Sequence, residues 1–427
     1  MTADPDWGHD RHRLITVEEA WGFLADALGA DRRAAAPGDA AKADSVPLTE
    51  ATGRVLAAPV TLVDDDPPFD KAMMDGFAIR SADCAAAGAK LRIRGTTLAG
   101  DEGREAVGEG EAVRINTGAP IPPGADAVVR IEDTRTEGEV LCILRRAERD
   151  QSIARQASNR RLGDAVLTPP LVVRSVHVAA AAAAGAARLE VRPRIAVAVV
   201  PTGNELVAAG QPRARGQIFE SNGPALCGLL REFGAAPRDL GVARDTVESL
   251  REKFTEALKC PVAVAVGGMS MGTHDLAPRA FGDLGVQWKF HGVAVRPGKP
   301  VAFGVGPAGQ FVFGLPGNPV SAFVGTVLFV LPALRGLFGF DFAPPNRLKA
   351  GLMVDIAPHR DGRPAFVPAI AWNDAARGLL TRPCDWRGAG DPFGLATANA
   401  LLVRTRPTEH LRTGNSVEII PLTNALD

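Results

Sequence analysis

Three short stretches of the chain carry glycine beside polar and charged side chains: PTGNEL (201–206), GGMSMGTHD (267–275) and LPGNPVS (315–321). Each follows directly on an apolar run. Glycine lets backbone N–H groups come close to a ligand, and concave arrays of such groups attract anions, phosphate in particular. Glu205, Asp245 and Asp275 lie on or beside these loops. Carboxylates next to phosphate-binding amides point to Mg²⁺, which takes oxygen ligands from one or two carboxylates together with phosphate and water. Asp245 has a second reading as a helix cap, because Glu248 stands three residues further on. The turn VRPGKP (295–300) adds Arg296 and Lys299, whose charges either face the phosphates or stand in solvent.

Two proline-rich loops extend this set. DPPFDKAMMDGF (66–77) is stiffened by Pro67 and Pro68 and carries the Asp75-Gly76 turn signal, so it can hold Asp70 and Asp75 in defined positions. Its alternative is a surface connection with solvated aspartates. RINTGAPIPPGAD (114–126) offers Thr117 on a similar loop, or simply a hairpin turn.

A scaffold must bring these loops together. RIAVAVV (194–200), PVAVAV (261–266) and QFVFG (310–314) read as strands covered on both faces. Residues 221–234 read as a helix capped by Ser221 or Asn222 and ended by Gly234. In 245–259, Val247, Leu250, Phe254 and Leu258 share one helical face. Strands alternating with helices predict a three-layer α/β domain with a largely parallel sheet, whose ligand site lies at the carboxyl ends of the strands. Short apolar runs broken by Gly, Pro and Asp predict a β module before it and a small β domain after about residue 345. Nearer the start, Thr16 is placed to cap a helix with Val17, Ala20, Trp21, Leu24 and Leu28 on one face. An Ala-rich helix from Ser175 is closed by Gly185.

With 427 residues the chain exceeds what one core holds, so two to four domains are expected. A net charge of −1 argues against a role on nucleic acid or a membrane surface driven by bulk charge. The five cysteines are far apart with no CxxC pair and the seven histidines are scattered, which fits reduced thiols in a cytosol and no zinc site. The polar N-terminus lacks a secretory h-region, and the apolar run from Val320 to Leu334 is shorter than a span of roughly 18 residues and is interrupted by Pro332. A cytoplasmic protein with a buried core helix is expected.

Taken in order, DPPFDKAMMDGFAIR, RINTGAPIPPGADAVVR, PTGNEL, GGMSMGTHD, VRPGKP and LPGNPVSAF resemble the motifs of the MoeA-type molybdopterin molybdenumtransferases, over about residues 13–423. The resemblance implies an elongated homodimer of four-domain chains. These are a discontinuous N-terminal domain (13–68 with 155–190), an inserted β module (69–154), a molybdopterin-binding α/β domain (191–344) and a C-terminal β barrel (345–427). The implied reaction takes adenylylated molybdopterin and molybdate, releases AMP with the help of Mg²⁺, and leaves molybdenum on the dithiolene. Asp70, Glu205, Asp245, Asp275 and Lys299 are the implied catalytic residues, with Glu205, Asp245 and Asp275 on the metal. Asp75, Thr117, Gly203, Ser221, Gly267, Gly268, Ser270, Arg296, Pro300, Pro316, Gly317 and Asn318 are the implied substrate-binding residues. The 66–77 loop is implied to face the cleft of the neighbouring subunit. Implied partners are a molybdopterin adenylyltransferase and downstream cofactor proteins. The alternatives are a lapsed paralogue that carries the pterin and a docking scaffold.

The chain departs from the family pattern in several places. RQASN (155–159) stands for RxGED, and Asn204 for an aspartate. Lys71 and Ala72 stand where the family has Asn-Ser. Phe366-Val367-Pro368 replaces Phe-x-Arg, and Gly388-Ala389-Gly390 replaces GSG. The missing Arg and Ser are implied molybdate ligands, so weak molybdate binding is expected.

Overall fold

The structure is a computed structural model and describes residues 14–29, 43–269 and 276–422. Its centre is a six-stranded sheet in the order Ala236–Asp239, Ala196–Pro201, Val262–Val266, Phe311–Leu315, Ala302–Val305, Gln287–His291. The first four strands run parallel and the last two antiparallel, so the expected parallel core carries an antiparallel edge. Strand residues alternate between two apolar layers. Val197, Val199, Val264 and Phe313 point to one side, under the helix Asn222–Glu232 and the long helical run from Pro319 to Leu337. Ala198, Val200, Ala263 and Val312 point to the other, under Val247–Ala257 and Ala277–Asp283. A period of two inside continuous apolar strands therefore serves both faces. The run Pro319–Leu337 is the one described helix long and apolar enough to cross a membrane, and 83% of its apolar window is buried inside the protein.

The first helix, Val17–Leu28, is started by a capping box: Glu19 N–H donates to Thr16 Oγ1 (3.0 Å), and Thr16 N–H donates to Glu19 Oε2 (2.7 Å). Its apolar stripe packs into the α/β core rather than with the N-terminal elements that follow it. Trp21 Nε1 donates to the Leu328 carbonyl (2.8 Å), and Ile15 bridges to Val293. The discontinuous unit instead has its own core, built from Val46, Leu56, Leu167, Val173 and Leu189 around the four-stranded sheet Asp44–Pro47, Arg188–Val191, Val55–Leu56, Leu171–Val172. The Ala-rich helix Ser175–Ala183 covers it and ends at Gly185, whose φ of +87° closes the turn.

A six-stranded sheet formed within residues 76–143 makes the β module. The last strands, Leu348–Leu352, Gly378–Pro383, Ala365–Asp374, Ala400–Arg404 and Ser416–Pro421, close into a barrel. All five cysteines are free. Burial pushes the thiols of Cys84 and Cys227 up to about 11, which suits structural rather than reactive cysteines.

Candidate functional site

Because Ala196–Pro201, Val262–Val266 and Phe311–Leu315 are adjacent parallel strands, the loops that follow them meet at one edge of the sheet. They touch backbone to backbone. Thr202 N–H donates to the Val266 carbonyl (2.8 Å), and Gly267 N–H to the Leu315 carbonyl (3.0 Å). A Cβ on Gly267 would sit 2.5 Å from the Thr202 carbonyl oxygen, and one on Gly317 would sit 3.4 Å from the Gly267 Cα. Gly267 also has a φ of +97°. Only glycine satisfies both conditions there. The Asn222 amide donates to the Gly317 carbonyl (2.8 Å), tying the third loop to the helix Asn222–Glu232. Asn222 is therefore not the cap, and Ser221, at the N-cap position, makes no side-chain capping bond. Its hydroxyl remains half-buried beside the loops.

Glu205 and Asp245 lie against consecutive residues of one turn. The Glu205 carboxylate folds back over Gly203, where an added Cβ would meet its Oε2 at 2.5 Å. Asp245 Oδ2 accepts from the Asn204 N–H (3.2 Å), while Asn204 Oδ1 accepts from the Asp245 N–H (3.2 Å). The helix that follows is capped by Thr246, whose hydroxyl accepts from Ser249 N–H (3.2 Å), so the expected Asp245 cap is corrected to its neighbour. Val247 is likewise exposed, and Leu250, Phe254 and Ala257 form the buried face. These corrections leave the Asp245 carboxylate free to face the 201–206 loop.

Three neighbours of these loops carried no signal in sequence. Arg244 Nη1 donates to the carbonyls of Gly203 (3.3 Å), Asn204 (3.1 Å) and Leu206 (3.1 Å), holding the turn from below. Glu220 is buried and accepts from Gly223 N–H (2.8 Å); burial raises its pKa above the ordinary glutamate value, and the charge of Asp239 adds to this. His291 Nε2 donates to the Met269 carbonyl (2.8 Å) and anchors the start of the second loop. Ser270 and Asp275 lie outside the described residues. Arg296 is half-buried and Lys299 exposed, and Gly298 between them lies over the Ser321 carbonyl. Across the seam, Val320 N–H donates to the Ala389 carbonyl (3.1 Å), so the barrel's Gly-Ala-Gly turn abuts the third loop. Asn318 Oδ1 lies 3.6 Å from where a Cβ on Gly390 would stand, Pro316 and Gly317 precede it in the loop, and Pro300 follows Lys299.

The proline-rich loops form a second group. Asp75 Oδ1 accepts from Thr117 N–H (2.7 Å) and Thr117 Oγ1 (3.0 Å), and these bonds lower its pKa. Burial works to raise the Asp70 carboxyl, but the Gln156 N–H (2.8 Å) and the Arg155 guanidinium outweigh it and hold it below its ordinary value. Asn159 donates its amide to Asp66 Oδ2 (3.0 Å). An acid at 159 would face that carboxylate, so the departure at this position is matched by its surroundings. Among the described residues, no hydrogen bond or ion pair joins this group to the α/β loops. Phe69, Met73 and Met74 on the same loop are exposed.

The donor set around Glu205 and Asp245 is all oxygen, which suits a hard cation held by two carboxylates plus phosphate. Among the described residues, no three acidic, His or Cys side chains cluster tightly enough to bind a metal on their own. Mg²⁺ there would thus need oxygen from the substrate or water, as this ion usually does.

Residues 15–185 match the MoeA N-terminal region (domains I and II), and residues 198–336 match a probable molybdopterin-binding domain. Molybdopterin molybdenumtransferases of Staphylococcus epidermidis and Staphylococcus aureus are each 32% identical over 383 residues, covering 88% of this chain and 90% of theirs. The crystal structure of a molybdopterin biosynthesis MoeA protein from Pyrococcus horikoshii superimposes with a TM-score of 0.80 at 30% identity, over 96% of this chain and 100% of that one. A molybdenum cofactor biosynthesis protein from Pyrococcus furiosus shares the fold with a TM-score of 0.57 at 18% identity, over the same shares of the two chains.

Proposed function

The chain belongs to the MoeA family of molybdopterin molybdenumtransferases, and from that premise we propose that it takes adenylylated molybdopterin and molybdate, releases AMP and leaves molybdenum on the dithiolene. The observation that carries the reading is the meeting of three glycine loops with Glu205 and Asp245 at one sheet edge. Gly203 and Gly267 spend their N–H groups on the Ala243 and Leu315 carbonyls and shape the turns, and the N–H groups of Gly268 and Gly317 would cradle phosphate, with the Ser221 hydroxyl and the Asn318 amide at the rim. Glu205 and Asp245 would hold Mg²⁺, with Asp275 as a third ligand. Bound there, the ion would neutralise charge building on the phosphoanhydride oxygens. Arg244, bonded to the carbonyls of Gly203, Asn204 and Leu206, would brace the turn that carries Glu205. Arg296 and Lys299 supply positive charge on the oxyanion side.

Asp70, Asp75 and Thr117 lie in a separate group that presents exposed apolar side chains. This supports a homodimer in which the 66–77 loop of one subunit completes the cleft of the other. A carrier without turnover or a docking scaffold has no observation in its favour. The test is AMP release from adenylylated molybdopterin plus molybdate, titrated with Mg²⁺ in the parent and in Glu205→Gln. The variant keeps the side chain's size and loses the charge that a hard cation requires. It is expected to release no AMP while binding the pterin as the parent does. AMP release at the parental rate would remove Glu205 from the site.

A further inference from the structure

Ser221 stands at the N-cap of the helix Asn222–Glu232, where a serine ordinarily turns its hydroxyl on the N–H groups two and three residues further along. Neither donor is open to it here. The residue three places on is Pro224, which has no N–H. The N–H two places on, that of Gly223, donates instead to Glu220 Oε1 (2.8 Å). Ser221 accordingly makes no side-chain capping bond, and its backbone (φ −127°, ψ −16°) lies outside the extended region that a capping serine adopts.

Glu220 is only 8% exposed, and a carboxyl so placed is unfavourable unless hydrogen bonds answer it. Burial raises its pKa, the N–H groups of Gly223 and Asn222 oppose the rise, and the charge of Asp239 adds to it. Both carboxyls crowd Gly223: an added Cβ there would meet Glu220 Oε2 at 3.0 Å, and Asp239 Oδ2 and Pro201 Cγ at 3.2 Å. The backbone holds Glu220 from the other side. Its N–H donates to the Val207 carbonyl (2.8 Å), beside the short parallel ladder of Leu206–Val207 with Ile218–Phe219, and Ile218 N–H donates to the Glu205 carbonyl (2.9 Å). One residue beyond Ser221, the Asn222 amide holds the Gly317 carbonyl (2.8 Å). Ser221 is therefore clamped between the first and third glycine loops, and among the described residues its hydroxyl has no hydrogen-bond partner.

We propose that Glu220 is a positioning residue for the pterin phosphate: by taking the Gly223 N–H it keeps the Ser221 hydroxyl off the helix and turned to a phosphate oxygen of the ligand at the third glycine loop. The proposal rests on the transferase reading and deepens it. A cap made by Ser221 itself would serve the helix and use up the hydroxyl. A carboxyl reaching in from outside the helix separates the two duties, and Pro224 removes the remaining donor. Without the Glu220 carboxyl the Gly223 N–H is left to Ser221, whose hydroxyl then turns to the helix and leaves the ligand.

Equilibrium binding of adenylylated molybdopterin to the full chain, without molybdate so that no turnover intervenes, tests the role. Ser221→Ala and Glu220→Ala are each expected to weaken binding about tenfold, the loss of one charge-assisted hydrogen bond. The double variant is expected to bind no more weakly than either, since both changes remove the same contact. Glu220→Gln, whose amide oxygen still accepts from Gly223, is expected to bind as the parent does. A lowered unfolding midpoint with parental affinity in Glu220→Ala would make the residue a helix cap alone and overturn the proposal. Losses that multiply in the double variant, to about a hundredfold, would overturn it as well. Ser221→Ala deletes one half-buried oxygen and is the check that does not depend on how Glu220→Ala folds: parental affinity in it overturns the role. A parent that does not bind the pterin loses the transferase reading together with this role. A parent that binds it with an affinity indifferent to Glu220 keeps the reading and loses the role.

Discussion

Replacing Gly267 by alanine adds one methyl group where the three loops meet. The new Cβ would sit 2.5 Å from the Thr202 carbonyl oxygen and 3.0 Å from Thr202 Oγ1. The first of these is backbone and cannot swing away. The residue would also keep a φ of +97°, where an L side chain is strained by about 1–3 kcal/mol. Relieving the overlap by moving the loop costs a further 1–3 kcal/mol or so, as overpacking does elsewhere. Gly267→Ala is therefore expected to lose about 2–6 kcal/mol of unfolding free energy, or to shift the loop and lose the pterin phosphate. Gly228→Ala is the control, since that glycine lies in the helix Asn222–Glu232 with nothing within 4 Å of an added Cβ. The same methyl there gains up to about 1 kcal/mol, because alanine restricts the unfolded chain and favours helix. Denaturant unfolding of both variants, with adenylylated-pterin binding measured alongside, gives opposite signs for one chemical change. A Gly267→Ala protein with the parental midpoint and affinity would refute the backbone-contact argument.

Three further outcomes are expected. Arg244→Met removes the donor shared by three carbonyls of the 203–206 turn, so half-maximal AMP release is expected to require about tenfold more Mg²⁺, the loss of one charge-assisted contact; an unchanged Mg²⁺ titration counts against its positioning role. Burial raises the Glu220 pKa above the ordinary value of about 4.3, so the stability contributed by the neutral acid is present below that pH and is lost as pH rises through the raised pKa. Glu220→Gln, which can still accept from Gly223, is expected to melt above the parent at pH 8, with the gap closing towards pH 4.5; a gap that does not vary with pH contradicts this. Mixing inactive Asp70→Ala with inactive Glu205→Gln and letting subunits exchange is expected to restore about a quarter of parental activity, since about half the dimers are mixed and each has one intact shared site. No recovery after proven exchange would place both residues in one subunit's site.

The central sheet and its loops were legible because strands buried on both faces leave continuous apolar runs, and glycine between such runs marks close backbone contact. The amphipathic stripe of Val17–Leu28 told what the helix buries but not against what, and the α/β core claimed it through Trp21 and Ile15. Capping is decided by backbone angles over one or two residues, which is why Thr246 rather than Asp245 starts its helix. Arg244 and Glu220 had no local pattern to announce them. Each acquires its role from groups distant in sequence, the carbonyls of Gly203 and Asn204 for Arg244 and the charge of Asp239 for Glu220. The departures at Asn159 and Pro368 read as losses in sequence. In the structure, Asn159 answers Asp66, while Pro368 sits in a barrel strand paired with Leu401.

The most direct measurement of the account follows both products of one reaction. Purified protein is given adenylylated molybdopterin, Mg²⁺ and molybdate, and AMP is quantified together with the molybdenum retained on the dithiolene. The account predicts no AMP without molybdate, and one AMP released for each molybdenum inserted when it is present. Tight pterin binding with neither AMP nor inserted molybdenum, at any molybdate concentration, would contradict it.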